Sequence, residues 1–254
     1  MIKFFRRIRQ QLLSENKFSK YLLYAIGEII LVVIGILIAL QINNNNNYNE
    51  QRKIEREYLI SLQSEFKSNL DKLHLSINDN EIRIKALKDL LTLFDISVLD
   101  SVSNKSISLM IHPIFGTDLS YKPSLGVLSD IISSGKLNII LNKNLRQKLA
   151  SFESSIDYLK IQEEEANNIK QSLKSMLFKE LSIRTVQKDL GKPFENPSIS
   201  DRVNNKQIFN SIELENHLLD YLLVTIAAND ARFFGGLNED IQSILIIIEN
   251  ELNK

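Results

Sequence analysis

The hydrophobic positions divide this chain into one continuous apolar stretch and a series of amphipathic segments. Residues 21–42 contain a single charged residue, Glu28. About 20 apolar residues in a helix span the ~30 Å hydrocarbon core of a bilayer, so this stretch is long enough to cross a membrane. After residue 51 the apolar residues recur three or four positions apart, as in helices that bury one face. The pattern predicts an all-α protein, with an N-terminal transmembrane helix followed by an elongated antiparallel helical bundle.

Three long amphipathic helices are expected in the bundle: one over 54–94, one from Asn142 or Asn144 to Leu181, and one over 208–252. The apolar spacing of the first helix has one gap, at Asn80. The spacing of the third survives across Gly235-Gly236, which predicts one continuous or mildly kinked helix. A shorter helix begins at Ser124 and is stopped by Gly135.

Charge around the apolar stretch predicts its orientation. Residues 1–20 hold six basic residues against one acid, whereas residues 50–57 are nearly balanced. Because the basic flank stays in the cytoplasm, the N-terminus is expected inside and the bulk of the chain in the periplasm. The predicted divisions are a cytoplasmic segment over 1–20, a transmembrane helix over 21–42, an Asn-rich linker over 43–50 and a periplasmic helical bundle over 51–254.

Two other interpretations of the apolar stretch are weaker. A cleaved signal peptide is disfavoured by the length of the run and by the absence of a small-x-small site at residues 38–42. A buried helix of a soluble protein is disfavoured by the one-sided basic flank. In the flank, Lys3, Arg6, Arg7 and Arg9 alternate with apolar residues, which indicates an amphipathic helix on the surface of anionic membrane lipid.

One face of the transmembrane helix carries unusual residues. Gly35 and Ala39 follow Glu28 by seven and eleven residues, which is about two and three helical turns, so the three residues share a face. Gly35 and Ala39 form a small-xxx-small pair, which allows close approach of another helix. An acid at this depth is costly, and three roles for Glu28 are open: a hydrogen bond between helices, snorkelling to the surface, and a proton-carrying site.

Composition excludes several classes of function. Residues 43–254 carry 25 basic and 29 acidic residues, which does not suit a nucleic-acid binder. The chain has no cysteine, hence no disulfide scaffold and no thiolate site. His74, His112 and His217 lack partners at metal-ligand spacing, and the run Glu163 to Glu165 is interpreted as a solvated face. Ser133 to Lys136 lacks the first glycine of a phosphate loop. No catalytic, cofactor or metal site is predicted.

Two segments carry a resemblance to a known family. Residues 1–50, above all "ENKFSKYLLYAIGEIILVVIGILIALQINN", resemble the start of the DUF6090 family of single-span membrane proteins of Bacteroidota, with Tyr48 where the family usually has Trp. A second match covers 128–152 and rests on Ser134, Gly135, Lys136, Leu137, Asn142, Leu145 and Arg146. The resemblance implies an inner-membrane protein of a Gram-negative bacterium with a periplasmic helical domain, and it implies no activity. By their residue types, Gly135 can stop one helix and Asn142 can start the next, so this second match is interpreted as a helix–helix corner in preference to a ligand site.

These features favour a non-enzymatic envelope protein, anchored in the inner membrane, whose helical bundle mediates protein interaction. The expected partners are membrane lipid and either further copies of the chain or a second membrane protein. Two alternatives remain. One is a periplasmic ligand sensor that signals through the membrane helix, which a pocket near residues 95–140 would favour. The other is an accessory subunit of a transport or ion-driven complex that uses Glu28.

Overall fold

The computed structural model describes residues 18–254 and is all-α, as predicted: most of these residues are helical, and no strand occurs among them. The basic residues Lys3, Arg6, Arg7 and Arg9 lie outside the described residues. The helices are α1 (Phe18–Leu91), α2 (Ile96–Ser101), α3 (Asn104–Gly116), α4 (Gly126–Ser133), α5 (Lys143–Glu180), α6 (Ile183–Asp189), α7 (Ile212–Ala227) and α8 (Phe234–Leu252). Two compact units are present, one ending at Glu57 and one over Tyr58–Lys254.

Among the described residues, α1 is long and apolar enough to span a membrane, and its apolar residues 21–42 belong to the first unit. The apolar side chains between Leu22 and Ile42 are exposed, and none of the most apolar stretch is buried in the protein. A core helix of a soluble protein would be mostly buried, so this exposure argues against that alternative. Residues 43–50, predicted as a linker, are themselves part of α1 and are exposed along their length. Asparagine is a weak helix former, but a run flanked by strong helical segments can be carried within the same helix.

The second unit, hereafter the helical domain, buries the apolar faces that the sequence predicts. Leu62, Phe66, Leu73 and Leu87 of α1 are fully buried, as are Leu145 and Leu149 of α5 and Ile241, Ile244 and Ile248 of α8. These side chains belong to one continuous hydrophobic core. The rings of Phe66 and Phe152 lie 4.9 Å apart between centroids, which places α1 directly against α5.

The long helices run in mixed directions. Gln162 donates to the carbonyl of Val224 at 3.1 Å, and Lys148 pairs with Asp240 at 3.2 Å, so α5 runs antiparallel to α7 and α8. Phe66 meets Phe152, and further along both helices Arg83 and Lys170 reach the same carbonyl of Thr117. These two contacts show that α1 and α5 are parallel. The connection over residues 92–142 makes this possible, since it returns the chain to the end of the domain at which α1 enters.

The third long helix is interrupted, and the prediction of one continuous helix over 208–252 is wrong. A turn over residues 228–233 separates α7 from α8. A Cβ on Gly236 would lie only 2.0 Å from the carbonyl oxygen of Ala231, and one on Gly235 would lie 3.0 Å from two carbonyl oxygens. The two glycines let the turn fold tightly onto the first turn of α8. The apolar spacing survives because both helices pack along α5.

The stop signal of α4 and the start signal of α5 are confirmed, whereas α4 itself begins at Gly126 and not at the predicted Ser124. Gly135 adopts a left-handed conformation, with φ of 69°, just after α4 ends. Asn142, rather than Asn144, is the N-cap of α5, and its side-chain oxygen accepts from the amide of Leu145 at 3.0 Å. Between α1 and α4 the chain also forms α3, whose N-cap is Ser103 and which extends to Gly116.

Candidate functional site

The three residues predicted to form a packing face all lie on α1. Glu28 is half-buried, whereas Gly35 and Ala39 are exposed. A Cβ added to Gly35 would meet no atom within 4 Å, so the surface there is open. The three residues share one helical face, as their spacing requires. Another helix could approach this face closely.

The seven residues of the second family match lie together at one corner of the helical domain. Gly135 ends α4, Leu137 packs on the core, and Leu145 is fully buried. The Lys136 ammonium donates to the Tyr58 hydroxyl at 2.9 Å, which raises the pKa of Lys136. The corner therefore ties the loop after α4 to the beginning of the domain part of α1.

The remaining polar groups of the corner also bond to protein. Asn142 donates to Glu251 at 2.6 Å, and Arg146 donates to the carbonyl of Ile140 at 2.5 Å. Hydrogen bonds from Lys254 and Asn142 lower the pKa of Glu251. Ser134 donates weakly to the carbonyl of Ile131 at 3.5 Å. These bonds suit a corner that joins α4, α5 and the end of α8.

The most elaborate polar arrangement was not predicted. Residues 117–125 form an irregular segment, here called the strap, between α1 and α5. Leu119 and Tyr121 of the strap are buried. A buried segment outside regular structure needs partners for its backbone groups. Side chains of the two long helices supply them.

The α1 side of the strap is held by polar residues at seven-residue intervals. Asn69 donates to the carbonyl of Ser124 at 2.7 Å and accepts from its amide at 2.8 Å. Ser76 donates to the carbonyl of Ser120 at 3.0 Å. Arg83 donates to both the carbonyl and the hydroxyl of Thr117, at 3.1 and 3.0 Å. Seven residues are close to two helical turns, so these side chains form one row facing the strap.

The α5 side of the strap is held by a second polar row. Glu163 accepts from the amide of Tyr121 at 2.5 Å, and Asn167 donates to the carbonyl of Leu119 at 3.4 Å. Lys170 donates to the carbonyl of Thr117 and to Asp118, both at 2.7 Å. The Lys170 hydrogen bond and charge hold the pKa of Asp118 below its ordinary range. The strap is thereby fixed to both helices along most of its length.

Two buried cations meet at Thr117. Arg83 is fully buried, and Lys170 is nearly so. Arg83 also donates to Asn80, which in turn donates to the carbonyl of Thr225 near the end of α7. Asn80 thus satisfies one of the last carbonyls of that helix. The gap in the apolar spacing of α1 is therefore filled by a polar junction of α1, α7 and the strap.

The interpretation of Glu163 as part of a solvated face is wrong. Its side chain is buried against the strap, whereas Glu164 and Glu165 are exposed. Burial raises the pKa of Glu163 above its ordinary value of 4.5, although the hydrogen bond from Tyr121 acts in the opposite direction. Nothing in the sequence distinguishes Glu163 from Glu164 and Glu165, so it did not predict which of the three side chains is buried.

This pKa predicts a pH dependence of stability. The folded state holds the Glu163 proton more tightly than the unfolded state, so its stabilising contribution is complete below the ordinary glutamate pKa and is lost as pH rises through the raised pKa. Glu163→Gln keeps an oxygen acceptor for Tyr121 and removes this loss. We expect E163Q to match the unaltered protein in acid and to have the higher Tm at neutral pH. Thermal unfolding across this pH range measures the difference.

Glu164→Gln is the matched control, because Glu164 is the exposed neighbour of Glu163. Its Tm should follow the unaltered protein at every pH. If the E163Q curve also runs parallel to that of the unaltered protein, Glu163 does not have a raised pKa in the folded state.

The histidines remain apart. His74 bonds to Asn238 at 3.1 Å, and His112 and His217 lie on α3 and α7. Within residues 18–254 no group of three or more histidine, aspartate or glutamate side chains is placed to hold a metal ion. Lys136, which ends the rejected phosphate-loop match, bonds to Tyr58 instead.

A cavity of about 240 Å³ lies where α3, the end of α5 and α6 meet. Its floor is formed by Ile111, Leu177 and Val186, all buried. His112, Lys174 and Gln187 are its polar lining residues. The cavity lies within the helical domain, beside the start of the strap.

The described fold defines an all-α protein with one helix long and apolar enough to cross a membrane. No protein-family model matches the chain, and no curated protein or solved structure matches it. The resemblance to the DUF6090 family therefore stays a prediction from the residues that carry it.

Proposed function

We propose that this protein is a non-enzymatic, inner-membrane-anchored envelope protein whose helical domain binds a protein partner, in the first place a second copy of the chain. The basic flank over residues 1–20 supports a cytoplasmic N-terminus and a periplasmic helical domain. The apolar part of α1 serves as the anchor. Glu28 makes a hydrogen bond between membrane helices, and Gly35 and Ala39 allow those helices to approach.

The proposal rests chiefly on α7, which carries exposed apolar side chains beside its buried face. Leu214, Leu218, Tyr221 and Leu222 are buried against the domain. Next to this buried face an exposed row, here called the α7 stripe, consists of Ile212, Leu219, Leu223 and Ile226. Leu223 is 57% exposed and Ile212 is 69% exposed. A row of exposed apolar side chains on one helix is typical of a surface that packs against a partner, so we infer that the α7 stripe is such a surface.

A second copy suits both apolar surfaces. An anchor confines all copies to one plane, which raises their effective concentration for weak contacts between domains. The α7 stripe can pack on the same stripe of another copy, and the small-residue face of α1 can do the same in the membrane. Neither contact needs catalytic groups.

The test is the mass of the purified full-length protein in mild detergent, by mass photometry. We expect an oligomer. Leu219→Ser combined with Leu223→Ser should weaken association by about 3 kcal/mol, because two leucines would no longer be buried. That loss corresponds to about a hundredfold in the dissociation constant.

The matched control replaces Leu75 and Ile246, which are also exposed apolar residues of the helical domain but lie outside the α7 stripe. This control should leave the oligomer intact. A second protein that is retained by the control and lost with the stripe variant would identify a different partner on the same surface. If the unaltered protein is a monomer with nothing bound, the proposal fails.

A further inference from the structure

The cavity between α3, α5 and α6 has an apolar interior and a cationic mouth. Its floor consists of Ile111, Leu177 and Val186, which are 4–6% exposed. At the mouth lie Lys174 and Phe178 of α5, both exposed, with the Lys174 ammonium 5.5 Å from the centre of the Phe178 ring. No aspartate or glutamate is among the residues that line this cavity.

The charge at the mouth is not neutralised within the domain. In the part of the chain that the structure describes, no carboxylate pairs with Lys174, and its ammonium lies over the Phe178 ring. Other lysines of the domain, such as Lys148, Lys170 and Lys188, are paired with aspartates. Lys174 is therefore available to an anion that enters the cavity.

We propose that this cavity binds a small amphipathic monocarboxylate, with its hydrocarbon part on the floor and its carboxylate on Lys174. Ligand pockets combine apolar walls with a few placed polar groups, and this cavity has that composition. Its volume of about 240 Å³ is slightly below the range of drug-sized sites, so the ligand is short-chained. A neutral ligand would leave Lys174 unused, and a cationic one would be repelled by it.

The site goes beyond the proposed interaction role and does not depend on it. The α7 stripe and the cavity share no residue. The cavity also borders the strap, since Gly116 lines it and Thr117 begins the strap. A ligand there would contact the segment that joins α3 to both long helices.

The experiment measures binding of octanoate to the full-length protein in phosphatidylcholine nanodiscs, by equilibrium dialysis against empty nanodiscs. We expect saturable binding of one octanoate per chain at neutral pH, and binding of 1-octanol that is about tenfold weaker, since the alcohol lacks the charge. Octylamine should not compete with octanoate. The absence of saturable octanoate binding above the empty nanodiscs would overturn the proposal.

Lys174→Met removes the charge and keeps an apolar side chain of similar length. It should weaken octanoate about tenfold and leave octanol unchanged. Lys179→Met is the matched control, because Lys179 is also an exposed lysine of α5 but does not line the cavity. If both variants weaken octanoate binding equally, the loss reflects the net charge of the protein and not a contact at Lys174, and the proposed site is wrong.

A second variant tests the cavity itself. Ile183 is half-buried and lines the cavity, so Ile183→Trp should fill part of the space. Octanoate and octanol should then both lose binding while circular dichroism stays that of a folded helical protein. Undiminished octanoate binding by folded I183W would place the ligand elsewhere and overturn the proposal.

Discussion

Replacing Arg83 by methionine is expected to lower the free energy of unfolding of the helical domain by about 3 kcal/mol. Arg83 is fully buried and donates to Asn80 and to the carbonyl and hydroxyl of Thr117. Without the guanidinium, the side-chain oxygens of Asn80 and Thr117 lose a donor inside the protein, and each such loss costs about 1–3 kcal/mol. Urea denaturation of the full-length protein in mild detergent, followed by circular dichroism, measures the change.

Arg83→Lys tests whether the positive charge of Arg83 or the shape of its guanidinium stabilises the domain. Arg83→Lys keeps the positive charge, but a single ammonium cannot reproduce the fork that reaches Asn80 and Thr117 together. We expect R83K to be destabilised almost as much as R83M. If R83M is as stable as the unaltered protein, or more stable, then burying the cation costs at least as much free energy as its hydrogen bonds contribute.

The two cations at Thr117 should also be coupled. The Thr117 carbonyl accepts from both Arg83 and Lys170, so either one alone still satisfies it. Removing both leaves the carbonyl without a donor. The double variant of Arg83→Met and Lys170→Met should therefore lose about 1 kcal/mol more than the sum of the single variants. Strict additivity would mean that the strap rearranges after the first loss.

The second large effect is expected from the aromatic contact between α1 and α5. Phe66→Ala and Phe152→Ala should each lower the free energy of unfolding by about 4 kcal/mol, because both rings are buried and leave a cavity. The rings are 4.9 Å apart, so a double-mutant cycle should show a coupling of about 1 kcal/mol. The same denaturation assay measures all four proteins of the cycle.

This cycle also tests the packing of α1 against α5 at Phe66 and Phe152. Phe178→Ala is the matched control, since Phe178 is on α5 but 57% exposed. Its stability change should stay within about 0.5 kcal/mol. Zero coupling between Phe66 and Phe152 would contradict the described packing.

Part of the polar site could have been found in the sequence. Asn69, Ser76 and Arg83 recur every seven residues within a helix whose neighbouring positions are apolar, and this spacing marks a polar row on one face. Their partner could not be found, because the contacted residues of the strap are 34 to 55 residues away along the chain and the strap has no periodic pattern of its own. Glu163 was hidden for a related reason: only the position of the strap distinguishes it from Glu164 and Glu165.

The local pattern by itself determined the all-α class, the apolar span in α1, the glycine that ends α4 and the start of α5 at one of two asparagines. These features depend on helical periodicity and on the backbone preferences of single residues, both of which are local. Only the tertiary structure decided that α1 and α5 are parallel, that the third long helix turns before Gly235-Gly236, and that polar side chains of two helices hold the strap. Each of these depends on contacts between residues far apart in the chain, where buried backbone groups take whichever partners the packing brings near.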